Sequence, residues 1–182
     1  IEILTSQGKK EIAISETKQL AERYPGDLNY KGLYGDILLQ NDEDEAALKV
    51  FNEILTEEPN NNRAQLSLRS YFMKHQALEK ADSMTMRILL NKNTSAEDRE
   101  YMLRQLISEE GNGNVDSIKI LASFNAIQQS ECRSPETGLL QAAYMSMKNM
   151  AKDSVARVLE DVLAIAPDNA SASLQLIGQA WE

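Results

Sequence analysis

Apolar residues recur along the chain with the spacing of one face of an α-helix. One such segment lies in the first third of the chain, and a second lies 108 residues later. Residues three, four, seven and eight apart share one side of a helix, so both segments predict amphipathic helices that bury one face. The apolar positions are Ala47, Val50, Phe51, Ile54 and Leu55 in the first segment and Val155, Val158, Leu159, Val162 and Leu163 in the second.

The connectors after these two segments are also copies of each other. Residues 59–64 are Pro-Asn-Asn-Asn-Arg-Ala, and residues 167–172 are Pro-Asp-Asn-Ala-Ser-Ala. Proline ends a helix because it lacks an amide proton and clashes with the preceding turn, and the asparagine two residues later is suited to cap the next helix. An offset of 108 residues is about three times the ~34–36 residues of a helix-pair repeat, so further copies are expected between the two segments. Spacings of 34 residues are indeed found, from Pro25 to Pro59 and between Ala13, Ala47 and Ala81.

This periodicity predicts an all-α chain built from pairs of antiparallel helices. One pair cannot bury both of its apolar faces, so neighbouring pairs stack and share a core. The segment from residue 94 to about 132 is a degenerate copy, with a turn predicted at Gly111–Asn114. The predicted helices are 9–23, 28–40, 43–57, 62–74, 77–91, 95–109, 114–129, 135–148, 151–165 and 170–181.

The repeat resembles the tetratricopeptide (TPR) family in specific positions as well as in length. That family places a small residue at position 8 of each unit, alanine at 20, a large residue at 24 and proline at 32. Counted from position 28, these places hold Gly35, Ala47, Phe51 and Pro59.

Other units depart from the family pattern. Arg69 takes the small place in the unit that begins at residue 62, and Val155 replaces alanine in the unit that begins near Glu136. In that last unit Ala142 and Ala143 both match the small place. The tryptophan that the family commonly carries near the start of the first helix is absent.

The resemblance implies a right-handed α-α superhelix of about five TPR-like repeats, in a single array over residues 1–182. The repeats are 1–27 (partial), 28–61, 62–94, 95–134, 135–169 and 170–182 (partial). Ile1–Gln7 is then the tail of a helix, and the last segment is a first helix without its partner. We expect a fragment of a longer array, or an end covered by another chain, because this last helix is too apolar for a cap at Leu174, Leu176, Ile177 and Trp181.

The charge and the scarcity of reactive residues narrow the function. The net charge is -9 and no stretch is dense in Lys and Arg, which argues against nucleic acid. No apolar run approaches the ~20 residues of a membrane span, so no direct membrane insertion is expected. His75 and Cys132 are the only histidine and cysteine. We therefore expect no catalysis, no metal and no cofactor.

The family resemblance implies a protein or peptide partner, held in the concave groove that the first helices line. Tyr and Arg most often anchor protein contacts, which makes Tyr101, Arg104 and Tyr144 candidate anchors. The alternative is that both tyrosines pack between helices with their hydroxyls at the rim. On the family register, the predicted groove residues are Asn29, Asp36, Gln40, Arg63, Leu66, Ser70, Met73, Lys74, Glu100, Tyr101, Arg104, Tyr144, Met147 and Lys148.

Two other functions stay open at this point. The chain could be a structural or assembly segment that self-associates through exposed repeat ends, or an accessory domain of a larger multidomain protein. The cations with which some family members hold a chaperone's C-terminal carboxylate are not in place, which disfavours that partner. On family resemblance alone, we favour a bacterial cell envelope over the cytoplasm.

Overall fold

The computed structural model describes residues 10–111, 113 and 115–181, and every regular element in these ranges is an α-helix. The all-α prediction is confirmed for this part of the chain, and the predicted helix bounds there lie within three residues of the observed ones. The helix tail predicted at Ile1–Gln7 falls outside the described residues. The helices are α1 (Lys10–Arg23), α2 (Leu28–Gln40), α3 (Asp44–Glu57), α4 (Asn62–Lys74), α5 (Leu78–Leu89), α6 (Ala96–Gly111), α7 (Ser117–Gln128), α8 (Pro135–Met147), α9 (Lys152–Ile165) and α10 (Ala170–Trp181).

The helices pack mainly against their neighbours along the chain, in two compact units. The N-terminal unit is Ile1–Ile88 and the C-terminal unit is Leu89–Glu182. In the N-terminal unit α2 contacts α1, α3 and α4, and in the C-terminal unit α8 contacts α6, α7 and α9. First helices of neighbouring pairs therefore touch within each unit, α2 with α4 and α6 with α8.

The turns inside three helix pairs share one backbone conformation. Asp42, Gln76 and Asn149 follow α2, α4 and α8, and each has a positive φ between 53° and 63°. In the first of these turns, the amide of Glu43 donates to the carbonyl of Leu38 at 3.0 Å. This is a Schellman ending, which satisfies carbonyls of the last helical turn and reverses the chain into the second helix.

The repeated connectors cap helices as predicted. The Asn61 side chain accepts from the Ala64 amide at 3.0 Å, and the Asn169 side chain accepts from the Ala172 amide at 2.9 Å. Each bond satisfies one of the free amides at the start of a helix, α4 in one case and α10 in the other. Both boundaries are therefore set by local sequence.

The core of the N-terminal unit centres on the contact between Gly35 of α2 and Phe51 of α3. A Cβ added at Gly35 would lie 2.7 Å from Phe51 Cζ, so only glycine fits against the ring. The predicted face of α3 is buried as expected. It packs with residues of α2 and α4 in a cluster made of Leu38, Ala47, Phe51, Ile54, Ala64 and Leu68.

The C-terminal unit repeats this arrangement with a shift of one residue. Ala142 is fully buried in the cluster between α8 and α9, whereas Ala143 is exposed. The turn before α9 spans residues 148–151, one residue longer than the turn at 41–43 before α3. Helix α8, the first helix of the repeat at 135–169, is therefore displaced by one position from the predicted register. Tyr144 of α8 takes the place that the buried Ile37 holds in α2.

A buried arginine replaces small-residue packing between α4 and α5. Arg69 stands where α2 has Gly35, and its Nε donates to the Thr85 hydroxyl at 2.8 Å. Both side chains are buried, and the Thr85 hydroxyl donates onward to the Ala81 carbonyl at 2.9 Å. Helices α4 and α5 are thus joined by hydrogen bonding, whereas α2 and α3 are joined by the packing of an aromatic ring against a glycine.

A second buried arginine holds the segment before α6. Arg99 donates to the carbonyls of Leu89, Asn91 and Thr94 at 2.7, 3.0 and 3.0 Å. Leu89 is the last residue of α5, and a cation is favoured at a helix C-terminus by the helix dipole. The guanidinium therefore fixes residues 89–94 without using a carboxylate in these three bonds.

Gly35→Ala should lower the free energy of unfolding by about 1–3 kcal/mol, because the added methyl group overlaps the Phe51 ring. Adding Phe51→Leu relieves that overlap, so the two losses should not add. Gly26→Ala is the matched control, since a Cβ there has no heavy atom within 4 Å. Urea unfolding followed by circular dichroism measures the native chain, the single variants Gly35→Ala and Phe51→Leu, the double variant and the control. Equal stability of Gly35→Ala and the native chain would contradict this packing.

Arg99→Met should destabilise the C-terminal unit by about 1–3 kcal/mol, because it leaves buried carbonyls without donors. Arg133→Met, at an exposed arginine of the same unit, should change stability little. Hydrogen exchange of the backbone amides in 89–99 locates the effect. Protection that is the same in Arg99→Met and Arg133→Met would show that the three hydrogen bonds do not hold this segment.

Candidate protein-binding surface

In the N-terminal unit, a polar network joins the facing first helices α2 and α4. Arg63 donates to Asp36 Oδ2 from Nε at 3.0 Å and from Nη2 at 2.7 Å, and the Ser67 hydroxyl donates to Asp36 Oδ1 at 2.6 Å. Gly32 allows Arg63 to lie across α2, since a Cβ there would be 3.0 Å from Arg63 Cδ. The predicted groove residues Asp36 and Arg63 therefore bind each other.

Two polar side-chain pairs join the end of α4 to the residues before and at the start of α3. Lys74 Nζ lies 2.9 Å from Asp42 Oδ1, and His75 Nε2 lies 2.9 Å from Asp44 Oδ2. The hydrogen bond between Lys74 and Asp42 lowers the pKa of Asp42 and raises that of Lys74, because each partner stabilises the charged form of the other. Lys74, like Arg63, is thus already paired within the chain.

The other predicted residues of this unit differ in exposure. Asn29, Gln40, Leu66 and Ser70 are exposed, and Met73 is half-buried. Leu66 is an exposed large apolar side chain on a first helix of this unit. It is the residue of this set that offers apolar area to a partner most directly.

In the C-terminal unit, α6 presents an exposed tyrosine beside an ion pair. Tyr101 is 63% exposed, and its hydroxyl accepts from Gln105 Nε2 at 2.9 Å. Arg104 donates to Glu100 Oε1 from Nε at 3.0 Å and from Nη2 at 2.6 Å, one helical turn apart. Tyr101 is therefore accessible to a partner, whereas the Arg104 guanidinium is already hydrogen-bonded to Glu100.

Tyr144 is not accessible in the same way. It is 2% exposed, its ring centroid lies 6.0 Å from that of Phe124, and its hydroxyl donates to Glu110 Oε2 at 3.1 Å. Lys148 Nζ lies 2.6 Å from Glu110 Oε1 and 5.7 Å from the centre of the Tyr144 ring. The sequence allows two interpretations of Tyr144, as an anchor for a partner or as a residue packed between helices. These contacts correspond to the second interpretation, with the hydroxyl bound at the rim. Met147, one turn of α8 further on, is 60% exposed.

Burial gives the Tyr144 hydroxyl an unusual titration. Desolvation of the phenolate, and then the hydrogen bond to the negative Glu110, raise its pKa to about 12. Both effects disfavour the charged form, because the phenolate loses water and would lie against a carboxylate.

The sequence did not single out Glu110, which ties α6 to α8. One local signal pointed to it. Glu109 and Glu110 lie in the last turn of α6, where the helix dipole disfavours anions, so a cation from elsewhere was to be expected nearby. The structure supplies it as Lys148, 38 residues later in the chain.

Neither a metal cluster nor a membrane span is found in the described part of the chain. Across residues 10–111, 113 and 115–181, no group of three His, Cys, Asp or Glu side chains could hold a metal ion. None of the helices in those ranges is long and apolar enough to cross a membrane.

No protein-family model matches this chain, and no curated protein matches it either.

The titration of Tyr144 can be followed directly. Between the ordinary tyrosine pKa of 10.0 and about 12, the unfolded state has lost the proton that the folded state keeps. The contribution of Tyr144 to the free energy of unfolding is therefore fully present below pH 10 and falls as the pH rises towards 12. Ultraviolet titration of phenolate absorbance should show a late step that Tyr144→Phe removes.

Glu110→Gln is the companion variant for this titration. It should move the late step down only in part, because burial is the larger cause of the raised pKa. A native chain whose six tyrosines all titrate together near 10 would contradict the buried geometry.

Proposed function

We propose that this chain is a non-catalytic TPR-like repeat module that binds a protein or peptide on the surface of its first helices. The observation that carries the proposal is the packing of first helices side by side in each unit, α2 with α4 and α6 with α8. Side chains on this layer that the core does not use are free to contact a partner. The helix pairs, their Schellman turns and the Gly35–Phe51 contact support the TPR-like superhelix that the repeat implies.

The chemistry of this surface indicates what kind of partner it suits. Arg63, Lys74, Arg104 and Lys148 each have a carboxylate partner within 3 Å. Contacts to a partner then fall mainly to exposed side chains, Leu66 in the N-terminal unit and Tyr101 and Met147 in the C-terminal unit. In each unit, a segment with apolar or aromatic side chains fits the first helices better than one recognised by its charge.

A structural or assembly role is the second candidate, and one observation favours it. Ile177 of α10 is 55% exposed, although the same position of the other first helices is buried, at Gly35, Arg69, Leu103 and Ala142. Leu174, three residues earlier, is 69% exposed. This face of α10 offers an apolar contact for self-association.

Affinity measurements on single variants test the surface. Once a partner has been isolated by affinity capture, Tyr101→Ala, Leu66→Ala or Met147→Ala should weaken its binding by about 1 kcal/mol or more at one or two positions, without lowering the melting temperature. Arg104→Ala should act less, because Arg104 is paired with Glu100. Ile118→Ala is the matched control, an exposed apolar residue of the second helix α7.

Unchanged affinity in all three apolar variants would argue against this surface. Self-association is the competing outcome, and sedimentation would then show a mass that rises with protein concentration and is restored to that of the monomer by Ile177→Glu. That result would favour assembly through α10 over peptide binding.

A further inference from the structure

A cavity of about 350 Å³ opens in the N-terminal unit between the second helices α3 and α5, beside the first helix α4. Its volume is within the range of small ligand sites. None of the predicted groove residues lines it. The lining residues are Leu48 and Asn52 of α3, Leu68 and Phe72 of α4, and Lys80, Ser83 and Met84 of α5.

The cavity combines an apolar interior with a few polar groups. Leu68 belongs to the buried core, and Leu48, Phe72 and Met84 pack against it while keeping part of their surface open. An apolar side chain placed there would exchange water for these contacts. Asn52 and Ser83 are exposed and offer amide and hydroxyl groups to a backbone.

Lys80 supplies the charge that defines the site. Its Nζ lies 5.6 Å from the centre of the Phe72 ring, and among the described residues no carboxylate is within ion-pair distance of it. Lys80 is the only ionisable group of the cavity lining. An anion bound here would therefore meet one cation and no competing carboxylate from the lining.

A neighbouring cavity of the same size provides the contrast. It lies among α1, α2 and α3 and is lined by two lysines, Lys18 and Lys31. Lys31 is 2.9 Å from Glu57 and 3.7 Å from Glu53, and Lys18 is 3.9 Å from Glu22. These three carboxylates also line the cavity, so both of its cations are paired inside the chain. Of these two cavities, only the one at Lys80 combines an apolar interior with a cation that has no carboxylate partner among the lining residues.

We propose that the Lys80 cavity is a second binding site, which takes an apolar side chain of a partner peptide with a carboxylate beside it. The apolar side chain packs on Leu48, Phe72 and Met84, and the carboxylate accepts from Lys80 Nζ at the mouth. A Leu-Glu or Phe-Asp step in a partner has this chemistry. The site is independent of the surface proposed above, since the two share no residue.

Methionine methyl NMR tests the site, because Met84 lines the cavity. The chain is labelled with carbon-13 at the methionine methyl groups and titrated with the blocked peptide Gly-Leu-Glu-Gly. We expect the Met84 resonance to shift, and the Kd to rise about threefold or more when the peptide carries Gln in place of Glu. Lys80→Gln should weaken binding of the Glu peptide by a similar factor and leave that of the Gln peptide unchanged.

Two further variants control for net charge and for the location of the bound peptide. Lys49→Gln removes an exposed lysine of α3 that does not line the cavity, and it should leave the Kd unchanged. Ser83→Leu fills the cavity and should abolish the Met84 shift with both peptides, while the other methionine signals stay in place.

The proposal is overturned if Met84 does not move, or if the Glu and Gln peptides bind the native chain equally. Equal loss of affinity in Lys80→Gln and Lys49→Gln would also overturn it, because the effect would then be one of net charge. A shift at Met73 or Met147 without one at Met84 would place the peptide on the first helices, which supports the proposed function and removes this second site.

Discussion

The close approach of two antiparallel helices within a pair is the constraint on which the other contacts depend. At Gly35 the α2 backbone lies against the Phe51 ring so tightly that a methyl group would overlap it. Phe51 then belongs to the cluster that α3 shares with Leu38 on one side and Leu68 on the other. Closing one pair therefore also builds the apolar surface that the next pair must cover, which is why the helices are stable together and not singly.

Two buried arginines in the middle of the chain hold helices by hydrogen bonds. Arg69 stands at the place of Gly35 and donates from Nε to the Thr85 hydroxyl, and Arg99 donates to three carbonyls of residues 89–94. Apolar side chains tolerate small displacements, whereas these bonds need donors and acceptors at fixed distances and angles. The contacts thus fix the local geometry more narrowly, and a broken contact leaves a buried polar group without a partner.

The elements that follow from local rules could be predicted from the sequence. Helix positions follow from the apolar period, and the Asn61 and Asn169 caps follow from their place after a proline. The register of residues 135–169 could not be predicted, since Ala142 and Ala143 are both small and an extra turn residue decides between them. The pairing of Tyr144 with Glu110 depends on the packing of α6 with α8, two helices that are not consecutive. The anions at the end of α6 indicate that a cation is needed there, but they do not identify Tyr144 or Lys148 as the partners.

The distribution of ion pairs separates the two candidate surfaces by the way each would recognise a partner. On the first helices the cations are paired within the chain, and an exposed ion pair contributes only about 0.2–1 kcal/mol. A charged partner there gains little, because it exchanges one such pair for another, so selection rests on apolar contact and shape. At Lys80 no ion pair with a described residue has to be broken, and the adjacent apolar cavity would keep a bound carboxylate close to the cation. Selection by charge would therefore be stronger at the Lys80 cavity than on the first helices.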